Sequence, residues 1–384
     1  MAVGYRRLLG DPSFSVGIVA VAVSAVVLGM VPLTLVLGSP GRRLADGAVL
    51  AAAFGIGNAL GVPSQGLLIA RFPTRLVLLA STVASCTLLA AVAVVPAGGV
   101  RVALLTGAGL TFPAGAAAVR AAVPVAFRRP ADRPGAYALL SVAFQAGLAT
   151  GPVAAGAIAV SDLRPVALVV AAGLLAAAGV LLVASMRLPV VVEGAHPGRV
   201  GRLDVPAFVR VVAIAAALGV ASGSLTVIVP TTLRHAGVVG VSGAVLGALA
   251  VGEAVGALVV GAVRSPRSPR RRLLVALTLI AIGDAVLGFT ADPVLLTVVV
   301  FGIGMVSSPA AIVLSTVLDD VVPSSFLAST YGFVVTAGVG GAAIGTGAGG
   351  LLSSVADDGP VVLAVLAATA AVALGATTAR GPAR

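Results

Sequence analysis

The sequence predicts an all-α polytopic membrane protein, with twelve transmembrane helices arranged as two parallel six-helix repeats. Three observations predict it. Of 384 residues, 59% are hydrophobic and only 10% are charged, whereas a soluble protein carries about 25% charge, and the mean hydropathy is +1.16. Apolar stretches of roughly 20 residues, enough to cross a hydrocarbon core of about 30 Å, recur along the whole chain. The second half of the chain also repeats the first. Two or three soluble domains fit the length but not the hydropathy.

Span 1, at 14–37, is too long for a signal-peptide core and lacks a cleavage site, so it is expected as a retained helix. Charged or Pro/Gly-rich breaks then delimit runs at 47–70, 76–96, 102–122, 135–160 and 165–186. Six more follow at 211–231, 239–263, 273–290, 294–317, 327–354 and 360–378. The polar stretch RLPVVVEGAHPGRVGRLDVP (187–206) divides the two sets. It separates an N-terminal bundle (1–187) from a C-terminal bundle (207–384), with 188–206 as the connecting loop.

All 24 basic residues are arginine. An even number of spans puts both termini on one side, and nineteen of the arginines fall on that side. The positive-inside rule then makes both termini cytoplasmic, in a cell membrane. The net charge of +11 thus reports topology, and RSPRSPRRR (264–272) is a cytoplasmic loop before it is a nucleic-acid patch. Arginine in place of every lysine, with abundant Ala, Gly and Val, suggests a GC-rich bacterial genome. The one cysteine, Cys86, forms no internal disulfide, and a buried lone thiol packs as a small hydrophobe.

The repeat is visible in glycines. Gly57, Gly61 and Gly66 match Gly252, Gly256 and Gly261 at an offset of 195, and Tyr137, Gly147, Gly151 and Gly156 match Tyr331, Gly341, Gly345 and Gly350 at an offset of 194. Ordered matches at a nearly constant offset indicate duplication. Six spans return the chain to its starting side, so the two copies are parallel.

At these residues the chain resembles the major facilitator superfamily, and within it the twelve-helix drug:proton antiporter group. GLLIARFPTR (66–75) is similar to that family's loop signature through Gly66, Arg71 and Arg75, with Ala70 in place of the Asp and Pro73 in place of the second Gly. GLATGPVAAG (147–156) resembles the fifth-helix signature of proton-coupled exporters through Gly147, Gly151, Pro152 and Gly156. The fourth-helix arginine of drug exporters is replaced by Ala103, and the chain has Arg120 instead. The resemblance implies alternating access, export, and an interface between halves formed by spans 2, 5, 8 and 11. On it the small-xxx-small pairs Gly57/Gly61, Gly147/Gly151, Gly252/Gly256 and Gly341/Gly345 are expected to line a smooth surface for rocking, with Pro152 bending its helix there.

Charges inside the membrane carry the remaining chemistry. Glu253 lies mid-span where the first copy has Asn58, and Asp284 lies mid-span in span 9. An acid at the bilayer centre costs roughly 2.5–3.5 kcal/mol and so faces a cavity or a partner. A carboxyl that takes up and releases a proton while alternating between two aqueous faces is the minimum a proton-coupled carrier needs. Glu253 is therefore the first candidate for coupling or substrate binding, with Arg120 and Asp284 behind it. Asn58, Phe112, Phe144 and Gln145 are candidate cavity residues, and Pro113 and Pro309 mark expected bends in spans 4 and 10. Few intramembrane charges favour an amphipathic or hydrophobic substrate.

Other classes fit less well. A P-loop needs lysine, and the chain has none, so ATP is not expected as an energy source, nor nucleic acid as a partner. His196 and His235 fall in loops on opposite sides and no HExxH motif occurs, so neither an enzyme, a metal site nor a cofactor is expected. The expected partners are the bilayer, a small-molecule substrate and protons. An importer of a small metabolite and a non-transporting sensor with a carrier fold stand as alternatives.

Overall fold

The computed structural model describes residues 7–38, 44–69, 71–95, 98–127, 129, 133–159, 166–186, 204–262, 268–322 and 327–379. Within them lie thirteen long helices: α1 (Pro12–Leu37), α2 (Leu44–Ile69), α3 (Thr74–Val94), α4 (Gly99–Leu110), α5 (Gly115–Ala126), α6 (Arg133–Ala159), α7 (Ala167–Ser185), α8 (Val205–His235), α9 (Ser242–Ala262), α10 (Pro269–Leu287), α11 (Pro293–Val321), α12 (Leu327–Leu352) and α13 (Gly359–Ala379). Helices α4 and α5 together form span 4, and every other helix is one span. Eleven spans are long and apolar enough to cross a membrane. The remaining one, α10, opens with Pro269 and three arginines and carries Asp284, which makes it the least apolar of the twelve. Most of the connecting segment 187–206 lies outside the described residues.

Caps set several helix starts. The side chains of Asp11, Asp204, Ser268 and Asp292 accept hydrogen bonds from the first-turn amides of α1, α8, α10 and α11, and each is followed by a proline in the first turn. Such a cap stabilises a helix by about 1 kcal/mol, and proline there removes an amide that has no intrahelical partner. Asp204 thereby starts α8 ahead of the apolar run expected at 211–231.

The duplication reappears as packing. In the first half α1 packs on α6 and α7, α2 on α4, and α3 on α7. In the second half α8 packs on α12 and α13, α9 on α11, and α10 on α13. Two antiparallel seams join the halves: α2 against α12, and α6 against α9. These are the spans 2, 5, 8 and 11 expected at the interface.

The glycines expected to line that interface sit elsewhere. A β-carbon at Gly57 or Gly61 would strike α4 backbone at Thr106 or Leu110, and one at Gly147 or Gly151 would strike α1 at Ala22 or Val26. Gly252 and Gly256 meet Phe301 and Met305 of α11, and Gly341 and Gly345 meet Ala216 and Val220 of α8. All four pairs bind helices within one half. The seams use a second set of small residues. At α2·α12, β-carbons on Gly55 and Gly347 would stand 2.7 Å from those of Ala343 and Ala52, and Gly350 abuts Ala48. At α6·α9, a β-carbon on Gly156 would stand 3.0 Å from the α-carbon of Gly243, one on Gly243 would strike the Pro152 carbonyl, and one on Gly247 would stand 2.7 Å from the Val153 side chain.

The seams are tight at the end away from the termini. There one buried core runs through both halves, from Val27–Val36 of α1 and Ala48–Phe54 of α2 to Leu225–Leu233 of α8 and Leu296–Ile303 of α11. Toward the termini the cores separate. One, with Phe14, Val21, Leu78, Val123 and Leu182, belongs to the first half. The other, with Val211, Ile214, Leu277, Leu314 and Ala371, belongs to the second. The halves are therefore closed on each other at the far end and independently packed at the terminal end.

Proline bends differ between the copies. Span 4 breaks at Thr111–Ala114, whereas span 10 runs unbroken through Pro309 as α11. The break leaves backbone groups without helical partners, and Gln65 of α2 satisfies them. Its Nε2 donates to the carbonyls of Phe112 at 2.7 Å and Leu110 at 3.3 Å, while its Oε1 accepts from the Ala114 amide at 2.9 Å. Gln65 is only 3% exposed. The equivalent position in the second copy is Val260, where no break needs support.

Two outcomes follow from this packing. Gly243→Leu places a side chain against the Pro152 carbonyl and Gly156, so the far end cannot close. Spin labels at Val94 and Val355, one per half at that end, will move apart by several ångström in a double electron–electron resonance measurement. Gln65→Leu strands buried backbone groups and will destabilise the fold by roughly 2–3 kcal/mol, read as a lowered thermal midpoint in detergent.

Candidate functional site

The α6·α9 seam carries a polar contact midway along both helices. Moving from the far end, Gly156 meets Gly243, Val153 meets Gly247, and then Gln145 Nε2 donates to Glu253 Oε2 at 3.5 Å. The antiparallel pairing makes this order unavoidable, since each step back along α6 is a step forward along α9. Two residues singled out separately in the sequence are thus brought together, one from each half. Both are half-buried. Glu253 is one residue after Gly252, whose missing side chain lets α9 press onto Phe301 of α11. That contact points one face of α9 into the second half and leaves the acid at the seam.

The pseudo-equivalent point on the other seam is apolar on one side. Asn58 of α2 stands for Glu253, and Val339 of α12 for Gln145. Asn58 is buried, with its backbone beside Gly109 of α4.

The other candidates lie apart from this contact. Asp284 is 1% exposed on α10, which packs on α11 and α13, neither of them a seam helix. Both its carboxylate oxygens lack a hydrogen-bond partner among the described residues. Its equivalent in the first half is Leu89, fully buried in the apolar core. Arg120 is on α5, exposed, in the segment held to α1 through Val119 against Gly17. Phe112 is buried edge-to-face on Phe54 at 5.9 Å, and Phe144 packs with the terminal-end core of the first half. Both rings thus make apolar contacts away from the Gln145–Glu253 pair.

The loop signature also resolves into local roles. The Arg75 guanidinium donates to the Met186 carbonyl, closing the C-terminus of α7, where a cation is favourable. Arg71 is exposed, a β-carbon on Gly66 would meet no neighbouring helix or side chain within 4 Å, and Ala70 is outside the described residues. Gln65, one residue before this signature, was overlooked in the sequence. A glutamine inside an otherwise apolar span was the available signal.

At the far end of the second half, a cavity of about 420 Å³ is lined by Thr231, His235, Phe289, Thr290, Asp357 and Asp358. His235 and Asp357 approach to 3.7 Å there, both largely exposed. The cavity lies within one half and does not reach the seam.

An unpartnered buried carboxyl where the sister helix has leucine implies a simple outcome. Asp284→Leu will raise thermal stability by about 1–3 kcal/mol, as expected when a polar group without partners is replaced by an apolar one of similar size. A fall in stability would mean that the acid has a partner in the folded protein.

The comparisons with known proteins agree with this architecture. No curated protein sequence matches the chain. Among solved structures it is similar to two of the nucleoside transporter NupG, with TM-scores of 0.76 and 0.72, 14% identity, and coverage of 96% and 97% of this chain and 100% of those. It is also similar to a bacterial homologue of the human lysosomal transporter Spinster in an inward-facing, unoccupied conformation, with a TM-score of 0.65, 14% identity and 95% of each chain covered. At such identity the likeness is one of fold. The sequence profile described as Major Facilitator Superfamily matches residues 13–346, and with most of its length matched the chain belongs to that superfamily of membrane transporters.

Proposed function

We propose that the protein is a proton-coupled exporter of a small amphipathic or hydrophobic molecule, working by alternating access in a bacterial cell membrane. The observation that carries this reading is the placement of Glu253 on the seam between halves, hydrogen-bonded to Gln145 of the other half. An acid there changes its surroundings whenever one half rocks against the other, so proton binding and conformation are linked. The GLATGPVAAG signature, with Pro152 and Gly156 on the same seam, favours export. The arginine distribution favours cytoplasmic termini, which makes the present arrangement the one closed to the outside. Protons supply the energy, without ATP, and no nucleic acid takes part. The connecting segment 188–206 joins the bundles 1–187 and 207–384. Arg120 and Asp284 assist at most indirectly, since neither shares the seam with Glu253.

A second reading is import of a small metabolite. It draws on the fold likeness to a nucleoside transporter.

The test is proton flux in proteoliposomes under an imposed pH gradient, on addition of lipophilic cations, neutral drugs or nucleosides. Proton movement driven by a drug and lost in Glu253→Gln is expected. Flux unchanged in Glu253→Gln would remove that acid from coupling. Uptake of nucleosides down an inward gradient, with no response to drugs, would favour import.

A further inference from the structure

We propose that Gln145 is the positioning residue through which the first half senses whether Glu253 carries a proton, so that coupling acts at one seam only. This rests on the coupling role given to Glu253 above.

Three observations support it. First, the Gln145 amide reaches Glu253 across the seam rather than along its own helix, at 3.5 Å. Second, the contact marks a boundary in the packing. On one side of it the small residues of α6 and α9 are in van der Waals contact, and on the other the two halves have separate cores. A bond at such a fulcrum has leverage over both. Third, the pseudo-symmetric seam has Asn58 and Val339 at these positions, and that pair has no group that exchanges a proton. The duplication makes each seam the control for the other.

The chemistry is a change in bond strength. A hydrogen bond from an amide to a carboxylate is charge-assisted and roughly twice as strong as a neutral one. Ionised Glu253 therefore holds Gln145, and protonated Glu253 holds it less firmly. Among the described residues, no other ionisable group lies midway along α9 or the helices packed on it. Glu253 is the only ionisable residue of α9. Those of the helices packed on α9 lie near helix ends: Arg133 and Tyr137 early in α6, Arg210, Arg234 and His235 on α8, and Asp319 and Asp320 late in α11.

The experiment measures the distance between the halves at the terminal end as a function of pH, in lipid nanodiscs without substrate. Spin labels are placed at Phe72 and Val275, both exposed, in a Cys86→Ser background. Wild type is expected to shift its distance distribution with pH. Glu253→Gln and Gln145→Leu should each lose that shift, and the double variant should match either single one. Should Gln145→Leu fail to fold, Gln145→Asn carries the same test, since it withdraws the amide by one methylene and should reduce the shift. Retention of the full shift in the Gln145 variants, with its loss in Glu253→Gln, would overturn the role of Gln145 while leaving Glu253 as the coupling acid. A wild type without any shift would also overturn it. Absence of proton flux in proteoliposomes would overturn the coupling role itself.

Discussion

Helices inside a bilayer gain little by hiding apolar side chains from lipid, because lipid is as apolar as leucine. What joins them is how closely their backbones approach, and the whole fold depends on that constraint. It explains why 49 glycines are affordable in a chain made of helices. Each of the four repeated pairs lets a helix rest on the backbone of its neighbour in the same half. The bundles are thereby rigid units before they meet each other. A second, smaller set of glycines and alanines serves the meeting of the units.

Helix α6 displays both uses at once. Gly147 and Gly151, one turn apart, press onto α1 within the first half, while Pro152 and Gly156, also one turn apart, press onto Gly243 of the second. One face makes a contact within the first half and the adjacent face a contact between the halves, the one that the proposed alternating access would break. Proline contributes beyond its ring. Without an amide at Pro152 the Leu148 carbonyl loses its helical donor, and that oxygen faces Gly29 of α1, where the absence of a side chain leaves room for it.

Much of this was legible in the sequence. Hydropathy located the spans and the 194–195 offset predicted two similar halves, both of which are properties of composition and period. The partner of each glycine face was not legible. Spacing of four residues identifies one face of a helix but not what lies against it, so Gly57 and Gly252 were expected at the seams and are found inside the halves. Glu253 and Gln145 were each conspicuous as polar residues in apolar spans, yet 108 positions separate them, and only the antiparallel seam brings them together. Gln65 and Asp284 illustrate opposite outcomes of the same cue. One polar side chain is fully satisfied by a broken helix and the other has no hydrogen-bond partner among the described residues, a difference set by neighbours that a single sequence does not specify.

The smoothness of the seams has an energetic consequence. Where α2 meets α12 and α6 meets α9, glycine and alanine bring the backbones close with little interlocking of side chains, so separating those helices breaks few side-chain contacts. Moving a two-state population from 1:99 to 99:1 takes about 5.5 kcal/mol. A hydrogen bond to a charged group contributes about 1.5–3 kcal/mol and a neutral one about 0.5–1.5 kcal/mol, so neutralising the acceptor changes the ratio of states roughly five- to tenfold. On a rough, interdigitated interface such a bond would be lost in the balance. On these seams, under the coupling role proposed for Glu253, a single proton would contribute a sizeable share of what decides which way the molecule faces.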